Sequence, residues 1–146
     1  MITLDTIRKP VTAELEAFDE FVERQFTAEG ELLSDMLRYA LSSRGKGIRP
    51  LLVLLSAAMN SPVAEAAKGR RVHLAAMLVE MIHVASLIHD DVIDEADMRR
   101  GKPSANARWQ SHKAVILGDY ILARNLSIGL GSGQFDLVTH VCGSMA

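Results

Sequence analysis

The chain has 146 residues, 49% of them hydrophobic, enough to bury one core and build a single domain. A formal net charge of −2 and an aromatic content of 5% exclude a surface built for nucleic acid, which needs excess positive charge and rings for base stacking. The single cysteine, Cys142, excludes an intramolecular disulfide, fits a reducing cytoplasm, and reads as a buried inert thiol.

Met1 to Pro10 lacks the apolar stretch of a signal peptide. Leu15, Phe18, Phe21 or Val22, and Phe26 recur at helical spacing and predict a helix over 11–28, stopped by Gly30. A second helix is predicted over 31–42. A basic, glycine-containing loop follows, then a dense Leu/Val/Ala helix over 49–59, ended by Asn60-Ser61-Pro62. A long helix from Val63 or Gly69 to Asp94 is apolar on most sides of its second half, which marks a core position. Its most hydrophobic stretch, 74–88, is interrupted by Glu80 and His83 and is too short to span a bilayer. Residues 98–104 read as a loop with Gly101 and Pro103. A further apolar helix covers 111–130, punctuated by Gly118-Asp119. Gly129 to Gly133 reads as a turn, and 134–146 as a last, incomplete helix. The pattern is all-α: antiparallel helices with short connections.

The long helix runs into a carboxylate cluster, Asp90, Asp91 and Asp94. Asp90 and Asp94 are one turn apart, so both lie on one face. Paired carboxylates repel unless a cation sits between them, and the macrodipole at a helix C-terminus opposes them further. Oxygen-only ligands with open positions suit Mg²⁺, which keeps waters and accepts phosphate oxygens. A solvated acidic helix end is the plainer account of such a motif taken alone.

Residues 44–50, Arg-Gly-Lys-Gly-Ile-Arg-Pro, supply the complementary charge. Gly45 and Gly47 allow tight backbone geometry, and Pro50 suits a first helical turn. Lys46 and Arg49 flank a helix N-terminus, where backbone N–H groups already favour anions. Arg brings a planar fork to phosphate oxygens and Lys a mobile point charge. Arg99 and Arg100 follow the acidic cluster directly.

Three motifs in this order, Gly45-Lys46-Gly47-Ile48-Arg49-Pro50, Leu87-Ile88-His89-Asp90-Asp91-Val92-Ile93-Asp94 and Arg99-Arg100-Gly101-Lys102-Pro103, resemble the trans-polyprenyl diphosphate synthase family. Gly118-Asp119-Tyr120 is a weaker match. The resemblance runs from about residue 30 onward. It implies an all-α, antiparallel bundle of the isoprenoid synthase type, with 1–146 as the N-terminal part of one domain. The family's second aspartate-rich motif has no counterpart: Asp136 is the one acidic residue after Asp119.

By that resemblance, Asp90 and Asp94 carry Mg²⁺ bound to the diphosphate of an allylic prenyl substrate, and Asp91 supports the cluster or binds through water. Arg99 contacts the allylic diphosphate. Lys46, Arg49, His83 and Arg100 hold isopentenyl diphosphate. His83 lies two turns before Asp90 on the same face, and by itself reads as a core histidine. His89 takes a packing role, and His73 and Asp119 are structural. The implied reaction is condensation of the two diphosphates to a longer trans-polyprenyl diphosphate in the cytoplasm, by a homodimer. Ala85 and Ser86, five and four residues before Asp90, are small where short-chain members often carry aromatic rings, which points to a long, octaprenyl-class product. The chain alone is expected to be nearly inactive.

Two rivals stand beside this reading. A non-catalytic helical partner or truncated remnant of the family would keep the fold without turnover. An HD-type metal phosphohydrolase would use His89-Asp90 with His73 or His83 and Asp119, and would leave the four cations without a role.

Overall fold

Helices make up nearly all the regular structure of the computed structural model, which describes residues 3–60 and 69–144. α1 (Leu4–Arg8) is capped by Thr3, whose side chain accepts from the Thr6 N–H. A 3₁₀ turn, Lys9–Val11, leads into α2 (Thr12–Gln25). Gly30, at φ +91°, bends the chain into α3 (Glu31–Ser42). α4 (Ile48–Asn60) and α5 (Arg70–Ile93) follow. A hairpin of two-residue strands, β1 (Met98–Arg99) and β2 (Lys102–Pro103), precedes α6 (Ala105–Trp109), α7 (Ser111–Gly131) and α8 (Phe135–Gly143).

α5 is the axis of the fold. It packs chiefly along α7, then against α4, with further contacts to α2, α6 and α8. Its buried residues lie on almost every side, from Leu74 through Met77, Leu78 and Met81 to Ile88. Burying one such side chain contributes about 1.5–3 kcal/mol, so this helix dominates the hydrophobic stabilisation. Asn125 of α7, fully buried, donates from its side-chain nitrogen to the Leu78 carbonyl at 2.9 Å and ties the two long helices together. Arg71, at the head of α5, pairs with Asp136 of α8 and holds that carboxyl below its usual range.

The all-α reading holds, and the structure amends its details. The first long helix starts at Thr12 and ends at Gln25 rather than spanning 11–28. α1 and α6 have five residues each, too few to show an apolar period; capping by Thr3 and Ser104 defines them instead. Gly118-Asp119 does not interrupt α7, and the turn expected from Gly129 begins only after Gly131. The breaker Ser61-Pro62 and the earlier start at Val63 lie outside the described residues. The stretch 74–88 sits inside a 24-residue helix, so length does not exclude a membrane span as the sequence suggested; α5 and α7 are both long and apolar enough to cross one. The burial of α5 against its neighbours is that of a core helix. Cys142, expected buried, is exposed. Val138 is the one buried residue of α8, and a turn later that cover is gone.

His73 of α5 is buried near the Phe18 and Phe21 rings, at centroid distances of 6.4 and 5.9 Å, and its Nε2 lacks a hydrogen-bond partner among the described residues. Burial pushes its pKa below 6.5, with Glu14 opposing. The unfolded chain therefore binds this proton more readily than the folded one. The contribution of His73 to stability is complete above pH 6.5 and is lost as pH falls through the folded value. Thermal melts from neutral pH down to about pH 5 should show a steeper loss for the wild type than for His73→Leu; parallel curves would refute this role.

Candidate active site

The acidic cluster divides by direction at the end of α5. Asp90 and Asp94 are exposed, and the Asp94 N–H closes the helix on the Asp90 carbonyl at 2.8 Å. Asp91 turns inward and is 3% exposed. Arg99 meets it there, with Nε donating to both carboxylate oxygens at 2.7 and 2.8 Å and Nη2 at 2.6 Å. The hydrogen bond to Asp91, helped by the charges of Asp91, Asp90 and Asp94, raises the pKa of Arg99 above its ordinary value. The segment between them is pinned as well: the Ala96 N–H donates to the Asp91 carbonyl at 2.9 Å, and the Ser104 hydroxyl donates to the Ala96 carbonyl at 2.6 Å.

The hairpin then separates the two arginines. Arg100 and Gly101 occupy the turn with φ of +51° and +77°, the left-handed pair that a tight two-residue hairpin demands. Arg99 points back to α5, whereas Arg100 reaches the loop between α3 and α4. Its Nη1 donates to the Ser43 carbonyl at 2.9 Å. It lies so close to Gly45 that a Cβ there would fall 1.9 Å from Nη1, so glycine is required both for this approach and for the φ of +82°. Arg8 donates to the Lys46 carbonyl from the other end of the chain. Lys46 and Arg49 stay exposed, and buried Pro50 sits in the first turn of α4. Lys46, Arg49 and Arg100 border one cavity of about 470 Å³.

Arg49 also borders a second groove of about 570 Å³, with Val79, Ile82, His83 and Ser86 of α5 and Val141 of α8. His83 is half-buried. Burial, then the charges of Arg49, Arg100 and Arg99, push its pKa below 6.5, with Asp90 opposing. A neutral imidazole thus stands between the basic loop and the aspartates. Ser86 faces this groove, while Ala85, 2% exposed, is packed in the core. Successive helical positions diverge by about 100°, so Ser86 opens directly on the groove while Ala85 turns into the packed layer beside it. His89 points away from the groove: its Nε2 lies 3.3 Å from both Asp119 Oδ1 and the Val115 carbonyl. A Cβ on Gly118 would come within 2.3 Å of that nitrogen, so Gly118 makes room for the ring.

Among the described residues no three His, Cys, Asp or Glu side chains gather into a metal site. Asp90 and Asp94 offer two exposed carboxylates one turn apart, while Asp91 is committed to Arg99. That donor set fits Mg²⁺, which keeps waters and takes phosphate oxygens in its remaining positions. It does not fit a histidine-rich hydrolase centre: His89 meets Asp119, but among the described residues no third such side chain joins them, and His73 is packed by the aromatic rings of α2.

The family model for polyprenyl synthetase matches residues 30–144. The chain belongs to the polyprenyl synthetase family. It is 42% identical over 113 residues to the nonaprenyl diphosphate synthase of Mycobacterium tuberculosis, covering 77% of this chain and 32% of that protein. It is 34% identical over 133 residues to the octaprenyl diphosphate synthase of Escherichia coli, covering 90% and 40%. A decaprenyl diphosphate synthase structure from Rhodobacter capsulatus superposes with a TM-score of 0.81 at 27% identity, over 95% of this chain and 42% of that one. The chain thus spans about a third to two-fifths of the length of these polyprenyl synthetase relatives.

The sequence alone leaves Asp91 between two roles, and the structure pairs it with Arg99. The place of Glu80, buried beside the basic loop, and the packing reason for Gly118 become visible only in the fold. An acidic residue inside an apolar helical run was the available signal for Glu80. Arg99→Ala would strand the Asp91 carboxylate. Since the Arg99 side chain is about a third exposed, water would offset part of that loss. Chemical denaturation should register a destabilisation of about 2 kcal/mol, and an unchanged midpoint would refute the pairing.

Proposed function

We propose that this chain forms part of a Mg²⁺-dependent trans-polyprenyl diphosphate synthase, which joins isopentenyl diphosphate to an allylic prenyl diphosphate. The observation that carries this reading is the return of Arg100 onto the Gly45 loop. It gathers Lys46, Arg49 and Arg100 at one cavity, while Asp90 and Asp94 point outward from the end of the same core helix. Cations that form no ion pair among the described residues suit one diphosphate, and an exposed carboxylate pair suits a metal-bound second one.

Asp90 and Asp94 would hold Mg²⁺, which supplies positive charge to the departing diphosphate. Arg99, fixed by Asp91, presents its remaining N–H groups to the same leaving group. Lys46, Arg49, His83 and Arg100 would anchor isopentenyl diphosphate so that its double bond faces the allylic carbon. Orientation of this kind is the main service a protein renders when it contributes no nucleophile. In a complete enzyme, Val79 and Ile82 would form one apolar side of a cavity that keeps water from the cationic carbon. By itself the 146-residue chain would be nearly inactive, since one carboxylate pair leaves part of the diphosphate charge uncompensated. A cytoplasmic location and a homodimer complete the reading. The apolar side chains exposed on α4 and α7, such as Leu52 and Ile116, support self-association.

In a complete enzyme containing this chain, Asp90→Ala or Asp94→Ala should lower kcat by at least about a hundredfold. Lys46→Ala or Arg49→Ala should mainly raise KM for isopentenyl diphosphate. Steady-state kinetics with both substrates checks this, and near-normal values in all four variants would overturn the assignment.

The small side chains of Ala85 and Ser86 are proposed to leave room for a long product. A ring at either place stands roughly 6–7.5 Å along the helix from Asp90 and would meet the growing tail early. Ser86→Phe fills the groove from its surface. Ala85→Phe must enter packed core and should also cost about 1–3 kcal/mol of stability. Chromatography of the dephosphorylated alcohols should show shorter products; an unchanged distribution from folded, active variants would dispose of the idea.

A further inference from the structure

Glu80 has no part in the site described so far, yet it lies beside it. It is on α5, three residues before His83, and is 2% exposed. It borders the cavity shared with Lys46, Arg49 and Arg100. It also borders a second cavity of about 310 Å³ next to the same loop, together with Arg8, Phe18 and Asp19. Its Oε2 is shielded from solvent and has no hydrogen-bond partner among the described residues. The neighbouring positions Met77, Leu78 and Met81 are fully buried apolar side chains, so packing alone would be served by another Leu or Met. A carboxylate is held here against the desolvation that burial imposes. Burial pushes its pKa up and Asp19 adds to that, while Arg44, Arg49 and Arg100 pull it back down.

The cations present the opposite difficulty. Arg44 is paired with Asp19, but among the described residues Lys46, Arg49 and Arg100 form no ion pair. Positive groups gathered at one cavity repel; the Ser43 carbonyl holds Arg100, while the exposed Lys46 and Arg49 side chains have no such anchor among the described residues. An anion fixed beneath them counters that repulsion. A single buried carboxylate can do so without displacing a ligand that carries more charge and more acceptor oxygens.

We propose that Glu80 is a positioning residue of the basic pocket, whose carboxylate keeps Arg49 and Arg100 converged at the 44–47 loop before a diphosphate arrives. It thereby sets the affinity for the diphosphate bound there, because groups already in place lose less freedom on binding. The proposal rests on reading this pocket as the isopentenyl diphosphate site.

The test is calorimetric titration of the protein with inorganic pyrophosphate in the presence of a metal chelator, so that Asp90 and Asp94 take no part. Lys46→Ala should abolish binding, which locates it at the loop; binding that survives Lys46→Ala, or no binding by the wild type, overturns the proposal. Glu80→Gln keeps the shape and removes the charge. It should weaken pyrophosphate binding by about tenfold while leaving the melting temperature unchanged or higher. Glu80→Asp keeps the charge and should retain most of the affinity. Unchanged or tighter binding by Glu80→Gln would overturn the proposal, as would equal losses in the two variants. So would a Glu80→Gln chain that fails to fold, since that would place the role of the side chain in packing. In a complete enzyme, Glu80→Gln should raise KM for isopentenyl diphosphate and leave kcat and the allylic KM unchanged. A wild-type enzyme without prenyl transfer would defeat the proposed function, while the pyrophosphate result would still stand or fall by itself.

Discussion

Asp91 is buried at the C-terminal end of α5, where the helix dipole is already negative and an uncompensated carboxylate would be costly. Arg99 meets that demand with three short contacts to the carboxylate. Much of the surrounding geometry follows from the pair. Arg99 must face α5, so its place in β1 is set. The hairpin turn that begins at the next residue then sends Arg100 to the opposite side, toward the α3–α4 loop. With Asp91 occupied, Asp90 and Asp94 are the members of the cluster that face outward. One ion pair thus divides three aspartates and two arginines into inner and outer sets.

Glycine serves this arrangement in two places, for one reason. At Gly45 the backbone must let the Arg100 guanidinium come closer than any side chain would permit. At Gly118 the backbone of α7 must admit the His89 ring, which is thereby turned away from the groove and toward Asp119. In both cases the absent Cβ is replaced by a charged or polar side chain from a distant element. Substitution there would displace the Arg100 or His89 side chain and not merely strain a turn.

Electrostatics along α5 are graded. Glu80 lies beside the basic loop, His83 comes next and is biased toward its neutral form by burial and three arginines, and the aspartates close the helix. A neutral imidazole between cations and carboxylates keeps hydrogen-bonding capacity without adding charge to either side. All of this is placed on the most deeply packed helix of the fold, which limits how far each group can drift.

The order of helices, the core position of α5 and the family were legible in the sequence. They rest on information local to a few turns: the 3.6-residue apolar period, glycine and proline breakers, and motifs contiguous along the chain. The facing of Asp90 with Asp94 followed from helical spacing alone. What the sequence did not determine depended on neighbours far along the chain. Asp91 and Asp90 are identical in type and adjacent, and only Arg99, folded back by the hairpin, makes one an inner partner. Ala85 and Ser86 are both small, and only the packing of α8 and the core decides which of them lines the groove. Cys142 is apolar enough to be buried, yet α8 offers it no cover. Glu80 reads as an interruption of an apolar run until the loop carrying Lys46 and Arg49 is brought beside it. The sequence determined which groups exist and how they repeat along each helix. Tertiary structure alone decided which charge each group meets, because burial and Coulomb interactions depend on distance in space and not on separation along the chain.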